Sequence, residues 1–402
     1  MSERAEKIKA FNKGRFPDAL KIKYAAMCEN AFRFYRGTCH LFYERLSQIR
    51  SMPKSPIGWI CGDLHLENFG SYKGNNKLVY FDLNDFDEAV KAPVLWEVVR
   101  LVTSILIAFQ TLEIESDQAI NMAVLFLKSY GSTLMSGKAA DLDPRTAKGI
   151  VRTFLKRTEK RSYSDLLKKR TLNRDGKLLL DIEDERHLKI NKTLKSELKS
   201  HMENWLSENN ESPYHYKVKD VVYRIAGTGS LGQKRYLFLL KSTIKKDSYL
   251  LIDMKQAFPS SLLPFLTVKQ PKWRNDAERI IAVQHRMQHV SSSLLSTSTF
   301  KNEHYVMQEL QPVKDTLRFK LIRDTYRDLY QVIDDMAILT ASSQLRSSGM
   351  DGTATKDELK TFASGKDWQQ QVLNLAAEQA ALVCADYGSY LQDYRNGAYK
   401  EI

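Results

Sequence analysis

The spacing of apolar positions along the 402-residue chain changes character twice. From residue 18 to 50 it follows a helical period, with Ala25, Phe32, Phe42 and Leu46 on the apolar side. Short apolar runs of strand type follow at 57–61 and 77–83, separated by a polar segment and the turn signal Lys73-Gly74-Asn75-Asn76. The pattern predicts helix over 94–135 and 191–207, with a small hairpin turning at Asn173-Arg174-Asp175-Gly176 between them. It then shifts to strands over 218–225, 234–241 and 248–254, a helix over about 274–289 and a strand over 304–310. Helix returns over 316–346 and 367–395, around a Ser/Gly/Thr-rich loop at 347–355. No internal repeat is present. The order predicts an α+β chain in three parts: 1–211 helical, 212–312 β-rich, 313–402 helical again.

Hydrophobic residues make up 43% of the sequence, ample for a packed core. The first 16 residues are charged throughout and carry no apolar stretch of the signal-peptide kind. Glu97 and Arg100 interrupt the longest apolar run, so no membrane span is expected. The four cysteines, Cys28, Cys39, Cys61 and Cys384, form no C-x-x-C pair; they read as reduced thiols, with a cytoplasmic location and no zinc site.

Charge changes the picture in one place. The formal net charge is +13, and residues 145–199 hold 17 Lys and Arg against 8 Asp and Glu. Acidic residues interrupt this segment and aromatic residues do not interleave with it, so it reads as a solvated helical face and nucleic-acid binding is not expected. Attraction of an anionic substrate or nucleotide is the other use of such charge.

Two constellations carry candidate chemistry. Cys61-Gly62-Asp63-Leu64-His65-Leu66-Glu67-Asn68-Phe69-Gly70 follows the first strand, and Asp82-Leu83-Asn84-Asp85-Phe86-Asp87-Glu88 ends the next. Phosphoryl transfer needs a carboxylate to position or deprotonate the attacking hydroxyl, and oxygen ligands for a Mg²⁺ ion on the phosphates. Asp63 suits the first role, Asn68 and a following aspartate the second, and His65 orients the loop. Asp82 and Asp85 compete for the metal, and Asp82 has the better spacing and strand context. The second constellation is Gly227-Thr228-Gly229-Ser230-Leu231-Gly232, a G-x-G-x-x-G match flanked by strands on both sides rather than opening a helix. Lys255 follows on the third strand, where it can reach phosphates, and Glu278 on the next helix is its candidate partner. Residues 305–312, with Glu309 and Leu310 at their centre, read as a hinge whose backbone would bind adenine.

G-D-x-H-x-x-N followed by a strand-terminal Asp resembles the active site of aminoglycoside phosphotransferases and related kinase-like enzymes. That resemblance implies Asp63 as catalytic base, Asn68 as metal ligand, Asp82 as main magnesium carboxylate, and ATP and Mg²⁺ as cofactors. The glycine loop comes after these motifs instead of before them, which implies a two-lobed, circularly permuted kinase-like fold. Over nearly the whole chain the sequence is similar to a bacterial family, domain of unknown function 2252, through Phe34-Tyr35-Arg36-Gly37, the two acidic motifs, the glycine loop and the lysine. One position departs: Gln344 stands where that family tends to carry a His before Arg346-Ser347. The expected activity is phosphotransfer to an unknown small-molecule or protein acceptor. The alternatives are AMP transfer to a protein, or nucleotide binding without catalysis.

Overall fold

A computed structural model of the chain describes residues 2–208 and 215–400. The expected 211/212 boundary between the helical and β-rich parts falls at 209–214, outside the described residues. The fold is mixed α+β with several sheets.

The β-rich part is a six-stranded antiparallel sheet. Its order is Ser296–Phe300, Glu303–Glu309, Tyr249–Gln256, Arg235–Ser242, Tyr216–Arg224 and His187–Leu188. Alternation along the strands splits its residues between two faces. One face carries Val221, Tyr236, Phe238, Ile252, Met254 and Tyr305, and buries them beneath Leu198, Met202 and Trp205 of helix Lys192–Glu208. The other face is divided. Val222, Leu237, Leu239 and Leu251 pack under Leu180 and Tyr163 of the basic segment. Further along the same face stand Arg224, Arg235, Asp253 and Lys255. The register aligns Lys255 with Arg235 on one side and Val306 on the other.

The helical part surrounds helix Val94–Thr111, which packs against Ser116–Ser136 and Trp368–Arg395; Tyr326–Arg346 packs in turn on Ser116–Ser136. Val94–Thr111 is the one described helix long and apolar enough to cross a membrane, and 78% of it lies buried inside the fold. Its apolar positions are core positions, and Glu97 and Arg100 are buried with them.

Several boundaries differ from expectation. The helix expected over 18–50 is three helices, Pro17–Met27, Ala31–Gly37 and Cys39–Leu46. Asn30 restarts it by accepting the Arg33 N–H at 2.9 Å, a cap that breaks the run. The polar segment after the first strand contains a strand, Phe69–Lys73, paired to Val79–Leu83. Val90–Pro93 pairs with Ile57–Ile60. Helix 316–346 begins only at Tyr326. After the loop, Lys356–Ala363 forms a helix behind a capping box in which Thr355 and Glu358 satisfy each other's backbone N–H groups. The hairpin turns where expected, with Asp175 and Gly176 both at positive φ.

Candidate functional site

The two strand pairs set two loops side by side. Residues 61–68 leave Ile57–Ile60, and residues 84–89 run between Val79–Leu83 and Val90–Pro93. Gly62, at φ +80°, lies so close to the second loop that a Cβ there would stand 2.4 Å from the Glu88 carbonyl oxygen. Only glycine fits that approach. The Asn84 N–H closes the pair by donating to the Asn68 carbonyl at 3.1 Å.

Asp63 projects from the first loop onto the buried guanidinium of Arg100, which donates from Nε at 2.9 Å and from a second nitrogen. Burial raises the Asp63 pKa, and Arg100 opposes the rise. Arg100 is itself fixed under the Tyr35 ring, 4.2 Å from its centroid. Tyr35 thus acts through Arg100, while the next residue of the same motif, Arg36, faces His65 Nε2 from Nε at 3.2 Å and pairs with Glu67. The Glu67 N–H faces the other ring nitrogen of His65, also at 3.2 Å. Burial and the Arg36 and Arg100 charges push the His65 pKa well down. The ring is therefore held neutral and can accept from only one of the two facing donors, which suits an orienting role better than acid–base work. Asn68 donates its amide nitrogen to the Asp63 carbonyl, so its oxygen is not committed by that bond.

The glycine loop closes over this loop pair. A Cβ on Gly229 would stand 3.1 Å from the Arg36 carbonyl oxygen and 3.7 Å from Asp63 Oδ2. Arg15, in the link between helices Glu3–Phe11 and Pro17–Met27, and the fully buried Lys23 of the second helix hold the loop by donating to the Gly229 carbonyl at 3.1 and 2.9 Å. Gly232 does not face the cleft. At φ +89° it abuts Arg15 and Leu20, and its carbonyl accepts the Phe16 N–H at 2.8 Å.

Asp63, His65, Asn68, Asp85, Gly227 and Gly229 line one small pocket, and Asn68, Asp85 and Gly227 continue into a cleft of about 930 Å³ that also holds Lys255, Glu309 and Leu310. The structure therefore brings together residues separated by more than half the chain. Besides Gly232, two predicted positions fall outside. Asp82 shares a strand face with Tyr80, turned toward residues 287–289. There Arg346 donates to it at 3.0 Å, while spending its other nitrogens on the Met287 and Ala140 carbonyls. Burial raises the Asp82 pKa and Arg346 counters it; Asp82 does not line the cleft, and Asp85 does. Glu278 does not pair with Lys255. It accepts the Arg274 N–H at 2.7 Å, at the start of helix Asp276–Met287. Lys255 instead pairs with Asp87 and stands 3.8 Å from Asp85. Burial drives both carboxyls up; Lys255 outweighs it at Asp85, which stays below the usual range, whereas at Asp87 burial, helped by the neighbouring Asp85 charge, prevails over Lys255 and the pKa rises.

At the hinge, Glu309 lines the cleft and burial raises its pKa. The Leu310 N–H is occupied by the Leu251 carbonyl at 2.9 Å, so it is not offered to a ligand. Gln311 ties the hinge to the helical part, accepting from the Lys73 N–H at 2.7 Å and donating to its carbonyl at 2.8 Å.

Sequence reasoning missed five contributors: Lys23, Glu88, Arg224, Arg235 and Lys314. Glu88 accepts the Ser261 N–H at 2.6 Å and the Ser261 hydroxyl at 2.9 Å, bracing the floor below Asp63. For Arg224 and Arg235 a signal did exist, since they bracket the glycine loop. The basic segment, expected to be a solvated face, places Arg161, Lys168, Lys169, Arg170 and Arg186 along the cleft. Of the side chains lining the cleft, eleven are Arg or Lys and six are Asp or Glu, so it is net cationic.

A family model described as "Uncharacterized protein conserved in bacteria (DUF2252)" matches residues 15–393. The chain belongs to that family. Both acidic loops, the glycine loop, Lys255 and the cationic side of the cleft lie within the matched DUF2252 span. No curated protein and no solved structure matches the chain. Gln344, the one position departing from the pattern expected of DUF2252 members, sits behind the site: it accepts from Tyr130 Oη at 2.5 Å and donates to Glu97 Oε1 at 2.9 Å, and Glu97 in turn accepts the Cys61 N–H at 2.7 Å.

Proposed function

We propose that this chain is an ATP- and Mg²⁺-dependent phosphotransferase of kinase-like, circularly permuted architecture. One observation carries the reading: the glycine loop of residues 227–232 reaches over Asp63, while Lys255 beneath it pairs with the aspartates of the second acidic loop. Glycine-loop amides and Lys255 would hold the phosphates. Asp63 Oδ2, on the side facing the loop, would receive the acceptor's hydroxyl proton, with Oδ1 held by Arg100. The acceptor oxygen would bond to the γ-phosphorus as the bond to the β–γ bridging oxygen breaks, and ADP would leave with that electron pair.

Among the described residues no group of three His, Cys, Asp or Glu side chains is placed to hold a metal. Mg²⁺ does not need such a group, since it takes one or two carboxylates and completes its shell with phosphate and water. Asp85, Asp87 and the Asn68 amide oxygen fit that requirement, and the ion would neutralise phosphate charge there. A second reading, transfer of AMP, gains from the cations ranged along the cleft beyond Lys255, which would accommodate a triphosphate lying in the opposite direction.

Radiolabelled ATP tests both without a known acceptor. The γ-label and the α-label report phosphoryl and AMP transfer respectively, as slow hydrolysis or self-modification. Asp63→Ala is expected to bind Mg·ATP within threefold of wild type and to lose turnover at least 100-fold. Full turnover in Asp63→Ala would remove Asp63 as the base, and Mg·ATP binding without either transfer in wild type would favour a binding protein.

A further inference from the structure

Arg224, Arg235, Asp253 and Lys255 share the cleft-side face of the sheet, and the one carboxylate among them is spent on the two arginines. Asp253 lies 2.8 Å from Arg224 and pairs with Arg235 through two nitrogens. Burial would raise its pKa, but the two guanidinium groups overwhelm burial and hold it far below the usual range. Lys255 is taken by Asp85 and Asp87.

Lys314 enters the same corner from the helical side with no such partner. Among the described residues it reaches only the Gln308 amide oxygen, at a long 3.4 Å. Burial, with Arg235 and Arg224 adding repulsion and Asp253 and Asp85 opposing it, lowers its pKa to about 8. The basic segment closes the corner. The Arg186 carbonyl accepts the Ile225 N–H at 2.7 Å, which sets Arg186 beside Arg224. Arg170, paired with Asp184 at 2.6 Å, has its Nε buried without a hydrogen-bond partner among the described residues. Three half-buried cations share one contacting carboxylate, Asp253, and a fourth stands at the rim; Asp85 and Asp87 also act on this corner but are paired with Lys255, so positive charge remains in excess. Such an arrangement is costly unless an anion completes it.

We infer that Arg224, Arg235 and Lys314, closed by Arg170 and Arg186, form an anion site for a phosphate-bearing ligand, distinct from the glycine-loop and Lys255 site. Guanidinium groups match the planar, multidentate hydrogen bonding of phosphate oxygens, which favours this class over a carboxylate. The site stands on the charge arrangement and not on the phosphotransfer reading. A phosphorylated ligand held there would share the cleft with whatever the glycine loop binds.

Calorimetric titration with inorganic pyrophosphate tests this on the full chain. Lys314→Met and Arg186→Gln remove cations with no carboxylate partner among the described residues, so both are expected to fold, as thermal melting would verify. Each is expected to weaken pyrophosphate at least tenfold, whereas Lys255→Met changes it less than threefold and the exposed Lys245→Gln not at all. Pyrophosphate binding to Lys255→Met would uphold the site even if wild type failed to bind Mg·ATP. Absence of binding to wild type would overturn it. So would loss of binding in Lys255→Met with retention in Lys314→Met, which would assign the anion to the glycine-loop site.

Discussion

The cleft has an acidic wall and a cationic wall, and they are held in place by opposite means. Asp63, Asp85, Asp87 and Glu88 come from two neighbouring loops of the helical part. Each is met by a dedicated donor: Arg100 for Asp63, Lys255 for the two middle aspartates, Ser261 for Glu88. The cationic wall comes from three strand ends, one loop and the basic segment, and its charges outnumber their partners. The acidic wall is thus a finished structure with fixed geometry. The cationic wall is unfinished: its positive charges exceed their partners among the described residues, which is the ground for the anion site proposed there. Preorganised carboxylates suit chemistry, while excess positive charge suits capture of an anionic ligand.

The largest break in this comparison is at Arg100. Its guanidinium is fully buried and is the cation that holds Asp63. Arg100→Met would leave Asp63 next to an apolar wall and strip the cation from beneath Tyr35. Removal of one partner from a buried pair costs about 3–5 kcal/mol, read as a loss of denaturation free energy. Arg100→Met combined with Asp63→Leu should recover part of that loss, since the stranded carboxylate is then gone. If the double variant is no more stable than the single, the pairing is not what Arg100 contributes.

Much of the acidic wall was legible because its residues are contiguous. A strand followed by G-D-x-H-x-x-N, and a second strand ending in aspartates, name the loops directly. What contiguity could not supply was direction. Asp82 had the better strand context, yet strand alternation turns it toward Arg346, 264 positions away in sequence. Asp85, just past the strand, escapes that alternation and reaches the cleft. Glu278 failed for a local reason, since at the third position of its helix a glutamate caps the helix start. The cationic wall was largely illegible because Arg186 and Lys314 are each unremarkable in their own segment, and only their place on either side of the glycine loop marks Arg224 and Arg235. The sheet register and the packing of the basic segment assemble them. Helix Lys356–Ala363 was missed although Thr355 and Glu358 carried its capping signature.

A smaller effect separates the two aspartates. If Asp85 is the carboxylate for the metal, Asp85→Asn should weaken Mg·ATP roughly tenfold, about 1.4 kcal/mol, and abolish the gain in affinity that Mg²⁺ confers. Asp82→Asn should leave that gain intact and instead lower the melting temperature, because Arg346 loses its charged partner. Calorimetry with and without Mg²⁺ on both variants decides it. The reverse pattern would return the metal role to Asp82.

The smallest expected effect concerns Gln344, which touches neither wall but stands behind the acidic one. Its amide oxygen accepts from Tyr130 and its amide nitrogen donates to Glu97, so it needs one acceptor and one donor on the same planar group. A neutral imidazole offers the same two functions on its two ring nitrogens. Gln344→His should therefore change stability by less than about 1 kcal/mol, the net worth of a typical hydrogen bond, and should leave Mg·ATP affinity unchanged. Gln344→Leu is different, because it strands the Tyr130 hydroxyl and removes a donor from Glu97, at about 1–3 kcal/mol. Burial already raises the Glu97 pKa from 4.5 to about 7, with Gln344 and the Cys61 and Gly62 N–H groups opposing the rise. A carboxyl raised in the fold contributes its full stabilisation below its unfolded pKa and loses it as pH rises through the folded one. Loss of the Gln344 donor lifts that folded value further, so Gln344→Leu should be penalised more at pH 8 than at pH 5.5, whereas Gln344→His should track wild type at both. Denaturant titrations of the three proteins at the two pH values read this directly. A Gln344→His variant as damaged as Gln344→Leu would mean that the amide geometry itself, and not its donor–acceptor pair, holds Cys61 and the loop that carries Asp63.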